Sequence, residues 1–449
     1  MLYLLGVLVV VVGVGLSIAL HEIGHLVPAK RFGVKVSQYM VGFGPTVWSR
    51  TRGETEYGVK AVPLGGYVRM IGMFPPAQGA DPGLLRSSST GRFSQLMDQA
   101  RQDSLEQVEP GDEDRVFYRL SVPRKVVVML GGPLMNLLIA AVLITGIITL
   151  YGVPVAKDGA VIASVSECVV PAAQASTTTT CAPTDPKTPA YLAGLKAGDK
   201  VVSVNGVTLR NSGDLGAQIQ PRTGQPTTVL VERAGRLLSL TVTPVKNTVG
   251  TYDDQGQPVL DASGRPVVVE AGFLGVRSSS TVVLERQPVT AAPGAVWSAV
   301  AQTASVVVRV PEKMVGITQA AFGSGERDPN GPISVVGVGR VGGEIASADL
   351  GEDGTLAKLI TLLWLIASLN LALFVFNLIP LLPLDGGHVL GALWEGVKRQ
   401  VARLRGRPDP GYVDVAKALP VAYAVSMVLI VMSGLLIYAD IVKPIKLFG

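Results

Sequence analysis

The chain has 449 residues, enough for two or three domains, and 48 % of them are hydrophobic, above the usual share for soluble domains. The net charge of +5 does not indicate a nucleic-acid partner, because Lys and Arg gather beside hydrophobic segments and form no single patch or stripe. A membrane protein is the expectation, and Cys168 and Cys181, in the polar middle of the chain and away from all three histidines, are poor metal ligands.

A hydrocarbon core of ~30 Å needs about 20 apolar residues in a helix, which predicts four spans, at 2–28, 126–151, 358–382 and 419–440. The first lacks the basic leader and short apolar stretch of a secretory signal and runs directly into His21-Glu22-Ile23-Gly24-His25. Histidines at i and i+4 project from one helix face and can share a zinc ion. Glu22, about a third of a turn away, can reach a water beside the metal without being a ligand itself, as a general base must. Ionisable groups at the end of a membrane helix are costly and by default functional.

The alternating, turn-rich stretch Gly58–Val68, with Gly42-Phe43-Gly44-Pro45 before it, predicts a short β-hairpin against the membrane within 31–75. Residues 76–122 read as a flexible insertion. Lys30, Arg31, Lys35, Arg50 and Arg52 flank one membrane edge, and Arg119, Arg124 and Lys125 flank the other, which marks this loop cytoplasmic. Lys398, Arg399, Arg403, Arg405 and Arg407 say the same of 391–418, so both termini and the 200-residue polar middle lie outside. In that middle, 176–189 reads as an exposed loop, and an amphipathic helix is predicted over 295–322 in the segment 290–356, lying on the outer face.

The third span runs into Asn377-Leu378-Ile379-Pro380-Leu381-Leu382-Pro383-Leu384-Asp385-Gly386-Gly387-His388, where two prolines forbid a regular helix. Unwound backbone at membrane depth survives only when shielded by protein or lining a wet cavity. Asp385, at its tip, is the best third ligand, against the alternatives of a helix cap or a partner for an arginine. His388 is either a partner of that ligand or a structural cap, and is not assigned to the metal.

These residues resemble the site-2 protease family of intramembrane metalloproteases, most of all its regulator-of-sigma-E branch in the form found in actinobacteria. Three matches carry the resemblance: His21 to His25; Asn377 to Gly387, similar to the family's Asn-x-x-Pro-x-x-Pro-Leu-Asp-Gly-Gly pattern; and Gly131-Gly132-Pro133 with Asn136 in the second span. The resemblance implies zinc held by His21, His25 and Asp385, with Glu22 as catalytic base. It implies that Asn377 holds the substrate backbone or helps polarise the scissile carbonyl, where an interhelical hydrogen bond is the alternative. It also implies that the sheet around Gly65, Gly66 and Tyr67 pairs with an extended substrate strand, where a plain structural hairpin is the alternative. Ala190 to Gly206, with Gly-Leu-x-x-Gly-Asp before an alternating strand, resembles the core of a PDZ domain, read here over 157–280. The branch carries two such domains and only one is found. A disulfide between the two cysteines would close its insertion, although spacing alone does not establish one.

The fold expected is a polytopic α-helical membrane protein with four spans, a membrane-associated hairpin and one extracytoplasmic PDZ-like α+β domain. The boundaries are 1–30, 31–75, 76–122, 123–152, 157–280, 290–356, 357–390, 391–418, 419–441 and a tail at 442–449. Its expected place is the bacterial cell membrane, with the site toward the cytoplasm. Its expected partners are lipid and single-pass membrane substrates of the anti-sigma-factor type; no oligomeric state is read. A non-catalytic PDZ-bearing receptor with a structural zinc is the main alternative. A zinc transporter is weaker, because spans two and four offer almost no ionisable path.

Overall fold

The computed structural model describes residues 1–76, 104, 108–156, 158–169, 181, 184–251, 267–280, 282–323, 327–328, 331–349 and 354–445. Most of the predicted insertion at 76–122, much of the loop at 176–189 and residues 446–449 of the tail lie outside the described residues. The chain divides into two compact units, one of Met1–Leu150 with Gln287–Gly449 and the other of Tyr151–Arg286.

The first unit is built on long apolar helices. Helix α1 (Leu2–Arg31) carries Lys30 and Arg31 in its last turn, where cations suit the negative end of the helix dipole. It stops at Gly33, whose φ of +84° lets Gly33 N–H reach Lys30 O and Val34 N–H reach Ala29 O, satisfying carbonyls left open at the helix end. Helix α2 (Val122–Gly146) begins with Pro123, whose missing N–H costs nothing there, and closes in a wider turn at Ile147–Tyr151.

Between them, β1 (Val36–Arg52) and β2 (Thr55–Met70) form a hairpin of 17 and 16 residues, far longer than the stretch predicted. Its turn is Gly53-Glu54, with Gly53 at φ +63°, as a two-residue turn of type II′ requires at its first position. The register shifts repeatedly, so residues 38–41 are paired on both sides: Tyr39 stands between Tyr57 and Val68, and Val41 between Val59 and Gly66. The outer flank of 66–70 has no strand partner among the described residues. Tyr39 Oη–H donates to Ala19 O at 2.8 Å, which ties the sheet to α1 two residues before His21. Burial first, and then the nearby Glu22 carboxylate, push the Tyr39 phenol up to about 12, so it stays a neutral donor.

In the second unit β3 (Val153–Ala156) pairs with β12 (Val282–Glu285), and β9 (Val245–Gly250) with β10 (Val268–Phe273). The main sheet has the order β11 (Val276–Ser279), β4 (Ala160–Val165), β5 (Lys200–Val204), β7 (Thr227–Arg233), β8 (Arg236–Val242), with β6 (Val207–Thr208) also on β5. Helices α3 (Pro189–Leu192) and α4 (Ser212–Ile219) contribute to its core, in which Ile162, Val201, Val204, Leu215, Val229 and Val231 are buried. Cys168 and Cys181 form a disulfide.

The predicted helix at 295–322 is two helices, α5 (Ala292–Val308) and α6 (Val310–Phe322). Pro311 has no N–H to give to the carbonyl four residues back, so the first helix ends at Arg309 and the second starts with the proline in its opening turn. Helix α7 (Val335–Ser347) is capped by Ser334 Oγ, which accepts from Gly337 N–H, and packs on α1 through Val10, Val338 and Val341. Helix α8 (Gly354–Asn377) is joined to α1 by a buried hydrogen bond, Asn370 Nδ2–H to Ser17 Oγ at 2.9 Å. Helices α9 (Asp385–Leu404) and α10 (Leu419–Val442) complete the unit. Among the described residues five helical segments are long and apolar enough to cross a membrane: Leu2–Arg31, Val122–Tyr151, Val289–Val308, Gly354–Asn377 and Val415–Val442. The segment at 289–308 is additional to the four expected spans.

Candidate metal centre

His21, Glu22 and His25 lie in α1, nine-tenths or more of His25 and Glu22 being hidden from solvent. The helix can approach α2 closely because glycines face each other: a side chain at Gly131 would overlap Gly24 O, and one at Gly24 would overlap Gly131 O. One residue on, Gly132 lies directly over the two imidazoles, and a Cβ there would fall well inside van der Waals contact with His25 Nε2. The Gly131-Gly132 pair is therefore what lets α2 roof the histidines.

Helix α8 ends at Asn377, and residues 378–384 with Pro380 and Pro383 bring the chain round to α9, whose first residue is Asp385. Gly386 and Gly387 pack so tightly on the backbone of 378–382 that no Cβ fits at either. This turn delivers the carboxylate to the histidines. His21 Nε2 and His25 Nε2 are 3.3 Å apart, and each is 3.4 Å from Asp385 Oδ2. A tetrahedral ion with ligand bonds of ~2.0–2.1 Å spaces its ligands by ~3.3–3.4 Å, so this triangle has the size of three corners of a zinc site. These three residues are a group able to hold a metal ion, and no other such group of His, Cys, Asp and Glu occurs among the described residues.

The imidazoles are also turned for ligation. His25 Nδ1–H donates to Val128 O at 2.8 Å, which leaves the Nε2 lone pair facing the triangle. His21 Nδ1 lies 3.0 Å from the side-chain amide of Asn136, a fully buried residue whose Oδ1 is without a partner. Turning that amide over lets Oδ1 accept from His21 Nδ1–H and frees the His21 Nε2 lone pair as well. Asn136 carries no sequence signal for this role beyond its place in the second-span motif. Its spacing from Gly132, one helical turn, was the available signal.

Glu22 stands outside the triangle but in the same cavity, of about 350 Å³, which is lined also by Gly65, Gly66, Tyr67 and Asn377. The structure thus brings every site residue expected from the sequence to one place. His388 lines that cavity too, though it contributes no atom to the triangle. At Gly66 a Cβ would stand 2.8 Å from Glu22 Cγ and 3.2 Å from its Oε1, so the edge strand passes directly beside the carboxylate. The arrangement combines three atoms able to ligate a metal, a carboxylate beside them and a strand edge with no strand partner among the described residues.

The model of peptidase family M50 matches residues 9–408. The zinc metalloprotease Rip1 of Mycobacterium tuberculosis is 33 % identical over 451 residues, covering 100 % of both chains, and that of Mycolicibacterium smegmatis is 31 % identical over 458 residues with the same coverage. The zinc metalloprotease RasP of Geobacillus kaustophilus is 26 % identical, over 86 % of this chain and 88 % of its own. The chain belongs to peptidase family M50, the site-2 proteases.

Proposed function

We propose that this protein is an intramembrane zinc metalloendopeptidase that hydrolyses peptide bonds within the transmembrane segments of single-pass membrane proteins. The observation that carries this reading is the triangle of His21, His25 and Asp385 with Glu22 beside it and outside it. When bound, zinc supplies Lewis acidity, polarising the scissile carbonyl and making water more acidic. Glu22 takes the proton from the attacking water and passes it to the leaving amine. Residues 66–70, whose outer edge has no strand partner among the described residues, offer that edge to the substrate, whose peptide bonds are protected while it remains helical. Asn377, at the end of α8, lines the cavity, which supports a role in holding the substrate backbone.

In this reading four of the five apolar segments cross the bilayer, the loops at 30–124 and 386–415 are cytoplasmic, and the PDZ-like unit lies outside the bacterial cell membrane. That unit takes no part in the chemistry; it excludes substrates that still carry a bulky outer portion. The substrates are membrane proteins trimmed beforehand outside, of the anti-sigma-factor type. The competing reading, a receptor with a structural zinc, fits less well, because a closed structural site fills its fourth position with a side chain and needs no adjacent base.

Metal content and cleavage of a tagged single-pass protein, measured on the purified full-length chain, separate the readings. One zinc per chain with cleavage is expected; zinc without cleavage of any trimmed substrate would favour the receptor. Deleting 157–280 is expected to leave cleavage intact and to admit untrimmed substrates. Loss of trimmed-substrate cleavage in a correctly inserted deletion would mean that the unit recruits substrate.

A further inference from the structure

The residues of α2 that serve the metal centre form one stripe. Asn136 meets His21, Gly132 roofs both imidazoles and Val128 O fixes His25. Spacings of three and four residues keep them on one face. The next member of that stripe is Lys125, which is 5 % exposed and faces α9. Its Nζ donates to Glu395 Oε2 at 2.8 Å, and Glu395 is 2 % exposed. Glu395 Oε2 also accepts from Val413 N–H at 3.2 Å, and Oε1 lies 3.0 Å from Arg399 Nη2. The ring of Tyr412 lies 5.1 Å from Lys125 Nζ. This is a built, desolvated ion-pair cluster that no step of the proposed reaction uses.

Its position relative to Asp385 gives it a use. Glu395 lies ten residues along α9 from Asp385, or ~15 Å of rigid helix at 1.5 Å per residue. The two histidines are set by α1 and by α2, whereas Asp385 comes from a third helix that enters through an irregular turn with two prolines. Something must fix the axial position of α9 against α2. Apolar contacts, such as Gly396 against Val122, tolerate sliding; a buried ion pair is satisfied in one register only. Metal sites hold their distances to ~0.2 Å, while a slip of one residue along a helix is ~1.5 Å.

We propose that Lys125 and Glu395 are positioning residues of the metal centre: their ion pair locks α9 in register with α2 and so holds Asp385 against His21 and His25. The stripe from Lys125 to Asn136 then disciplines all three ligands from one helix. This inference rests on the assignment of the triangle as the zinc site.

The test measures zinc affinity of the purified full-length protein by competition with a chromophoric chelator, alongside the melting temperature of the zinc-free form. Lys125→Met and Glu395→Gln are each expected to weaken zinc about 10–100-fold, the usual cost of losing a partner outside the coordination sphere. The double variant Lys125→Met/Glu395→Leu removes both charges, which is often neutral for stability, and is expected to fold yet still bind zinc weakly. Lys125→Arg should restore tight binding. Arg327→Met breaks an ion pair that is just as buried, to Asp440, and should lower the melting temperature while leaving zinc affinity unchanged. Wild-type zinc affinity in the folded double variant would overturn the inference, as would an equal loss in Arg327→Met. Absence of zinc from the wild type would instead defeat the metal assignment, and His21→Ala, run in parallel, tells the two apart.

Discussion

Two clusters of ionisable groups in the membrane unit, one buried and one partly buried at the cavity, differ in what they leave unfinished. Arg327 and Asp440, 4 % and 1 % exposed, form an ion pair in which the carboxylate also accepts from Ser334 N–H at 2.6 Å; cation answers anion. His21, His25 and Asp385 instead turn three electron-rich atoms toward one point at separations of 3.3–3.4 Å. Lone pairs so close repel one another unless a proton or a metal cation lies between them. The first cluster completes a structure, and the second is able to hold an ion, although each joins residues far apart in the chain.

Breaking the contrast is simplest at the two carboxylates. Asp385→Ala should reduce zinc affinity by more than the ~100-fold that an outer partner can cost, and should abolish cleavage. His388→Ala should lose much less zinc, and equal loss in both would displace the ligand assignment. Asp440→Ala should leave zinc content alone but destabilise the protein by about 3–5 kcal/mol, the cost of stranding a buried partner, read from its thermal unfolding. Asn136 tests the orientation of His21: Asn136→Leu should weaken zinc about 10–100-fold at unchanged stoichiometry in excess metal. If Asn136→Leu binds zinc like the wild type, the turned amide is not what frees the His21 Nε2 lone pair.

The smallest effect extends the comparison to the other unit. Asp199, 1 % exposed, accepts from Arg233 Nε and Nη2 at 2.6 Å, and the Arg233 guanidinium holds its carboxyl below the usual value. A carboxyl whose folded-state value is depressed contributes stability above its unfolded value of ~3.9 and loses it as pH falls toward the folded one. Asp199→Asn should therefore cost about 1.5–3 kcal/mol at neutral pH and flatten the acid side of the stability curve, below the range where free carboxylates begin to protonate. An acid limb unchanged by the substitution would show that other carboxyls govern it.

What could be read in advance was whatever local spacing encodes. The interval of four between His21 and His25 places both on one face in any helix, and Pro380, Pro383, Gly386 and Gly387 announce an irregular turn whatever surrounds it. The two motifs that meet at the triangle were legible for that reason. The break at Arg309 was legible in principle from Pro311 but was masked by an apolar pattern continuous across it. Contacts between distant segments leave no period to detect. Lys125 reads in the sequence as one more basic flank of a span, and only the packing of α9, 270 residues away, makes it a buried ion-pair partner. The double pairing of residues 38–41, which leaves 66–70 as the edge beside Glu22, likewise depends on register shifts that alternation does not specify.

The account turns on Glu22 being beside the metal and not on it. The most direct measurement is zinc stoichiometry together with the cleavage rate of a trimmed, tagged single-pass substrate by purified Glu22→Gln protein. The account predicts one zinc per chain, as in the wild type, with cleavage slower by at least the ~10²–10⁴-fold that loss of a general base costs. Cleavage at the wild-type rate, or loss of zinc along with the carboxylate, would contradict it.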